Sequence, residues 1–195
     1  MLQPSSVERP PKSAIIGLGA NLPSAIGSPL ETLQAALKRL EDESIDIQSV
    51  SRFYSTPCFP AGAGPDYVNA AVRLITQLLP DDLLSRLHAI EESLGRERKE
   101  RWGQRVIDID LLAFDDSIMP DIATYRKWLE MPLDSQIRKA PEQLILPHPR
   151  LQDRAFVLVP MADVAPDWEH PYLRRTTLQM LAELKPDDIA TICPL

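Results

Sequence analysis

Cysteine is scarce. Cys58 and Cys193 are the only two in 195 residues. They lie far apart in the chain, which excludes a disulfide framework and fits a reducing compartment. No His follows Cys58 at a nucleophile-motif spacing. Long apolar runs are also missing, and none approaches the ~18–20 residues of a membrane span. Residues 1–13 are polar and proline-containing with no apolar centre, so they are predicted to be a disordered tail and not a signal peptide. Excess positive charge is lacking too. A net charge of −7 argues against general DNA or RNA binding, which is driven by counterion release at basic surfaces. No G-x-x-x-x-G-K-S/T occurs, so a P-loop is excluded. In Gly17-Leu18-Gly19 the dinucleotide pattern fails, because Leu22 occupies the place of the third glycine. Repeats and low-complexity segments are absent. These exclusions leave a cytoplasmic protein whose length suits one domain with a sizeable core. Proline is abundant, 19 residues against a usual ~5%, and predicts stiff, extended loops.

The periodicities give an element order. Ala14–Leu18 reads as a buried strand. Ser28-Pro29-Leu30-Glu31 is a capping box with proline at the first helical position, and opens a helix over about 28–42. Ile45 and Ile47 lead through Val50 to Phe53-Tyr54 as a second strand. A Pro- and Gly-rich loop over 55–65 follows, long enough for a lid or binding loop. In the third strand Val68, Ala70, Val72 and Leu74 share one face, and Tyr67 and Asn69 the other. Pro80 opens a second helix that Gly95 stops. Residues 125–129 form a short helix. Asp153 is predicted to cap a helix over 154–163 kinked by Pro160, and 176–184 is a last amphipathic helix. The order β-α-β-β-α-β places the chain in the α+β class, as a ferredoxin-like split βαβ plan: an antiparallel sheet with helices packed on it, and a C-terminal elaboration.

Chemistry concentrates in residues 96–114. In the strand here, side chains alternate, so Asp108, Asp110 and Leu112 share a face opposite Ile107, Ile109 and Leu111. The two carboxylates stand roughly 6–7 Å apart along the strand and repel each other unless a cation intervenes. Hard oxygen donors with no Cys or His pair nearby favour Mg²⁺ over zinc. Just upstream, residues 96–105 carry a net +3, so the other residues sum to −10. Such runs also form solvated faces, and Asp-x-Asp also occurs on exposed edges. Trp102-Gly103 within the run and the acidic surroundings point instead to a small anionic ligand. Metal-binding carboxylates beside guanidinium groups are what phosphoryl transfer needs. Two further places have chemical potential. Tyr67 and Asn69 could hold a flat heterocycle or be an exposed strand end. His148, between Pro147 and Pro149, is an anion donor or a packed turn residue.

Several separated blocks then resemble one family over residues 14–172. They are Gly17-Leu-Gly19-Ala-Asn21-Leu, Phe53-Tyr-Ser-Thr-Pro57, Asp66-Tyr-Val-Asn69-Ala, Gly95-Arg-Glu-Arg, Arg101-Trp-Gly-Gln-Arg105-x-x-Asp108-Ile-Asp110, Leu146-Pro-His-Pro-Arg and Arg154-Ala-Phe156-Val-Leu. Together they resemble the 6-hydroxymethyl-7,8-dihydropterin pyrophosphokinases of folate biosynthesis. The resemblance implies transfer of a pyrophosphoryl group from ATP to the hydroxymethyl group of the dihydropterin, with AMP leaving. It implies two Mg²⁺ ions on Asp108 and Asp110, and Arg96, Arg105 and Asp110 as the catalytic groups. It places Glu91, Arg98, Lys99, Arg101, His148 and Arg154 on the ATP side. Thr56, Pro57, Cys58, Tyr67, Asn69, Trp102 and Phe156 fall on the pterin side. His88 stands where the family has Gln, and Gln104 where it has proline. Residues 14–195 are then one pyrophosphokinase domain, with an insertion of about twenty residues within 115–143. A monomer is expected, with that insertion as the surface for any dimer.

Overall fold

Alternating apolar positions become the two faces of one antiparallel sheet in the computed structural model, which describes residues 10–58, 64–96, 106–132, 135–136 and 139–195. Its strands are β1 (Lys12–Ala20), β2 (Ile45–Val50), β3 (Tyr54–Thr56), β4 (Tyr67–Thr76), β5 (Asp108–Phe114) and β6 (Cys193–Pro194). β1 lies between β5 and β4, β2 and β3 share the far edge of β4, and β6 extends the sheet beyond β3. Helices α1 (Pro29–Leu40) and α2 (Pro80–Ser93) follow β1 and β4. This is the predicted split βαβ plan.

Local chemistry explains both helices. Ser28 and Glu31 form the reciprocal capping box at the start of α1. At the end of α2, Gly95 adopts φ +91°, a conformation costly for a residue with a Cβ. Gly95 N–H then donates to Glu92 O at 3.1 Å and Arg96 N–H to Glu91 O at 3.0 Å. This pair of bonds is a Schellman motif. It turns the chain back on α2 and brings Arg96 beside Glu91.

The two faces of the sheet pack differently. Ile16, Leu18, Val72, Leu74 and Ile109 join Leu33, Leu40, Leu83 and Leu87 of the two helices in the larger core. On the opposite face Ile15, Ala71, Leu112 and Ala113 pack under Leu158, Met161 and Val164 of α4 (Ala155–Val164). Asp163 ties α4 to the sheet edge, accepting from Tyr54 Oη at 2.7 Å and from Arg52 Nη2 on its other oxygen at 2.9 Å.

Some boundaries depart from expectation. β1 begins at Lys12, inside the predicted tail, and residues 1–9 lie outside the described ones. The second strand is two strands. Ser51 N–H donates to Ala71 O at 2.9 Å, but Ser51 Oγ takes the Ala71 N–H at 2.8 Å and donates to Arg52 O, so a side chain replaces one of the two backbone bonds between β2 and β3. Asp153 does not cap α4: Arg154 occupies the N-cap without a side-chain bond, and Asp153 lies 3.3 Å from Arg150 instead. The last predicted helix is shorter, Thr177–Ala182, started by a capping box from Thr176 and Gln179.

The insertion contains helix α3 (Ile122–Leu129), capped by Asp121. It is anchored through Tyr125, which is fully buried. His170 Nδ1 accepts the Tyr172 and Leu173 N–H groups at 3.2 Å each. The neutral ring therefore carries its proton on Nε2, 2.9 Å from Tyr125 Oη. Burial holds His170 down to about 4. Among the described residues no helix is long and apolar enough to cross a membrane.

Candidate active site

The site lies on the α4 face of the sheet, where α4 no longer covers it. Register places Gly19 between Asn69 on β4 and Asp108 on β5, and Gly17 between Ala71 and Asp110. The central strand therefore projects no side chain here, leaving a trough with carboxylates on one wall. The opposite wall is Asn69, whose Nδ2 donates to Thr56 Oγ1 at 2.6 Å. Both residues are buried. Tyr67 pairs with Thr56 across the strands, so all three share the face. A Cβ on Gly19 would come 2.9 Å from Asn69 Oδ1, closer than packing allows. At the end of the trough, Asn21 Nδ2 donates to Pro65 O at 3.2 Å and ties β1 to the loop ahead of β4.

On the carboxylate wall, Arg96 Nη2 meets Asp108 Oδ1 at 2.9 Å, and its Nη1 is paired with Glu91 Oε1. Glu91 has no exposed surface. The same Oε1 accepts the Ile109 N–H at 2.7 Å, which binds the helix end to β5. Burial pushes the Glu91 carboxyl up to about 7, against the pull of the Ile109 N–H and the Arg96 charge. The Asp110 carboxylate makes no hydrogen bond or ion pair among the described residues, while its backbone sits in the β1–β5 ladder opposite Gly17. That residue set contains no cluster of three His, Cys, Asp or Glu for a metal. The donor set is two half-buried carboxylates on one strand face. It fits Mg²⁺, which is held by one or two carboxylates together with waters and substrate phosphates.

His148, Arg150 and Arg154 from the segment leading into α4, and Phe156 from its first turn, complete the site. His148 N–H donates to Leu112 O at 2.8 Å, and its Nδ1 accepts the Arg150 N–H at 3.2 Å. Nε2 is left as the proton-bearing nitrogen. Burial, helped by the Arg154 charge, pushes the imidazole down to about 3, so it is a neutral donor. Burial also lowers the Arg154 guanidinium, and Asp110 and Asp108 act on it in the opposite sense. It stays charged at any ordinary pH and stands near both carboxylates. Its Cζ lies 5.6 Å from the centre of the Phe156 ring, and Phe156 is 40% exposed, unusual for a large apolar residue here.

The fold thus brings Arg96, Glu91, Asp108 and Asp110 into one cluster with His148 and Arg154 close by. Thr56, Tyr67 and Asn69 stand across the trough. Pro57 and Cys58 follow Thr56 at the end of β3. Arg98, Lys99, Arg101, Trp102 and Arg105 lie outside the described residues. Sequence reasoning did not assign Gly19, Asn21 or Arg150 a part. The strand period placed Gly17 and Gly19 on one face, and their pairing with the aspartates would have been the signal.

Residues 15–166 match the profile of the 7,8-dihydro-6-hydroxymethylpterin-pyrophosphokinase (HPPK) family. The chain belongs to this family. HPPK relatives include the 2-amino-4-hydroxy-6-hydroxymethyldihydropteridine pyrophosphokinase of Synechocystis sp., 35% identical over 93% of this chain and 80% of that protein. The enzyme of the same name from Methylorubrum extorquens is 36% identical over 92% of this chain and 98% of its own. That of Pseudomonas aeruginosa is 39% identical over 80% and 82%. Among solved structures, wild-type Plasmodium falciparum HPPK-DHPS with pteroate is similar with a TM-score of 0.63 over 91% of this chain, at 16% identity. This chain spans 43% of that longer protein, and at such identity the likeness concerns the HPPK fold.

Proposed function

We propose that the trough between Asn69 and the two aspartates is where this HPPK chain transfers the pyrophosphoryl group of ATP to 6-hydroxymethyl-7,8-dihydropterin. The single observation that supports this placement is the register of β1. Two glycines lie between the carboxylates of β5 and a buried Asn-Thr pair, so no side chain of β1 stands between the two walls. The hydroxymethyl oxygen attacks the β-phosphorus, the bond from that phosphorus to the bridging oxygen of AMP breaks with its electron pair going to AMP, and the hydroxyl proton passes to water.

Asn69 and Thr56, with the backbone of Pro57 and Cys58, read the amide-like edge of the pterin. Tyr67 and Phe156 offer aromatic faces for its ring. Arg154 and the neutral His148 donate to phosphate oxygens. Arg96 neutralises developing charge, and Glu91 acts through Arg96 and Ile109 by holding both. Arg98, Lys99, Arg101 and Arg105 add positive charge on the ATP side, and Trp102 shields the site. Asp108 and Asp110 would hold magnesium, two ions by the family resemblance, which when bound offsets phosphate charge. In this reading the protein is a cytoplasmic monomer.

The test is AMP release from ATP with Mg²⁺, with and without the hydroxymethyl-dihydropterin. AMP and a pyrophosphorylated pterin appearing only with both substrates is the expected result. Formation of ADP would mean a simple kinase, and saturable binding without turnover a silent homologue.

A further inference from the structure

The insertion borders a cleft of about 480 Å³, within the usual size of a small-ligand site. Its lining is mixed in character. Trp128 at the end of α3, Leu84 of α2 and Leu144 contribute apolar surface, Arg150 and Arg154 positive charge, and His148 a neutral N–H donor. Lys139 of the insertion and the carboxylates of Asp81 and Glu142 also line it. Arg154 lies near both aspartates and His148 near Asp108, so the cleft adjoins the carboxylate wall.

Trp128 is not on a loose loop. Tyr125 is one turn earlier on α3, and is pinned to His170 at 2.9 Å. Just beyond the helix, Gln136 Nε2 donates to Trp128 O at 2.6 Å and to Met131 O at 3.1 Å, and Gln136 is itself 8% exposed. The indole is thus carried by a segment fixed at both ends. Arg150 points to the anionic part of a ligand by a separate observation. Its Nε is buried and has no hydrogen-bond partner among the described residues, and it pairs with Asp153 at 3.3 Å. A buried donor left this way is costly, and a phosphate oxygen would satisfy it.

We propose that the insertion supplies one wall of the nucleotide site, with Trp128 against the purine base and Arg150 added to the cations that hold the phosphates. The inference rests on the pyrophosphokinase reading. An aromatic plane, aliphatic side chains and two guanidinium groups lining one cleft beside Asp108 and Asp110 match the base and phosphates of a nucleoside triphosphate. Base stacking on an aromatic side chain contributes independently of phosphate contacts.

The test compares two probes by calorimetry with Mg²⁺ present: a non-hydrolysable ATP analogue and inorganic tripolyphosphate, which lacks base and ribose. Trp128→Ala is expected to weaken the ATP analogue at least tenfold and tripolyphosphate less than twofold. Trp128→Phe keeps a plane and should bind the analogue within threefold of wild type. Arg150→Ala should weaken both probes alike. If Trp128→Ala fails to fold, Trp128→Leu, which retains bulk without the plane, replaces it with the same expectation. Wild-type analogue affinity in the Trp128 variant, or equal loss of both probes, overturns the inference. In either case AMP release by the wild-type protein still supports the parent reading. A wild-type protein that binds neither probe and releases no AMP overturns both.

Discussion

Arg96 approaches Asp108 at 2.9 Å while it also pairs with Glu91, so one guanidinium joins the end of α2 to the carboxylate wall. A fork can span two carboxylates in a fixed plane, and an ammonium cannot. Arg96→Ala is therefore expected to lower kcat at least ~100-fold, the scale for loss of one transition-state donor. It should also destabilise the fold by roughly 1–3 kcal/mol, because Glu91 loses its cation in a buried setting. Arg96→Lys should restore part of the stability and little of the turnover. Steady-state kinetics with urea unfolding separates the two, and full recovery of kcat in the lysine variant would contradict the two-carboxylate role.

Asp110 contributes little to packing. Asp110→Ala should abolish turnover with a melting temperature within a few degrees of wild type, since surface changes are usually within ±0.5 kcal/mol. Rates near wild type in the variant would remove Asp110 from the mechanism.

Gly19 and Asn69 are coupled by contact. A Cβ at Gly19 falls 2.9 Å from Asn69 Oδ1, so Gly19→Ala must displace the amide that Thr56 holds. Gly19→Ala and Asn69→Ala are each expected to raise KM for the dihydropterin by ~10-fold or more, the loss of a hydrogen bond at a polar site. The double variant should be scarcely worse than either single one. Additive losses would show that the two positions act separately.

The anchor under the insertion titrates. His170 is held down to about 4 from 6.5. Between these values the unfolded chain binds more protons, so stability is full above pH 6.5 and falls as pH drops. The loss is about 2 kcal/mol by pH 5 if His170 acts alone. His170→Phe removes that titration. It should be less stable than wild type at pH 8, where Tyr125 loses its partner, yet lose less between pH 7 and 5. Parallel pH curves for the two proteins would assign the acid sensitivity elsewhere, His148 being the next candidate.

Local features were legible in the sequence because their determinants are local. The Ser28–Glu31 box spans three residues, Gly95 ends a helix through its own φ, and period 2 puts Asp108 and Asp110 on one face. The topology followed from element order. Long-range substitutions for local structure were not legible. Ser51 breaks the second strand only because Ala71 lies opposite. Glu91 looks like a surface helix residue until Arg96 and Ile109 close on it. Tyr125 and His170, 45 residues apart, turn a stretch without clear pattern into an anchored wall. The β3–β6 pairing likewise depends on where the chain returns.

The α4 face is roofed over Ile15, Ala71 and Leu112, and its other half carries Gly19, the buried Asn69 and the two half-buried aspartates. Folding and chemistry therefore draw on separate halves of one surface. Replacements beneath α4 will register mainly as lost protein yield, and those at the two aspartates as lost product from protein made in normal amounts. For anyone retasking this scaffold, the carboxylate positions can be randomised while the roofed half and the Gly19–Asn69–Thr56 contact serve as a fixed chassis.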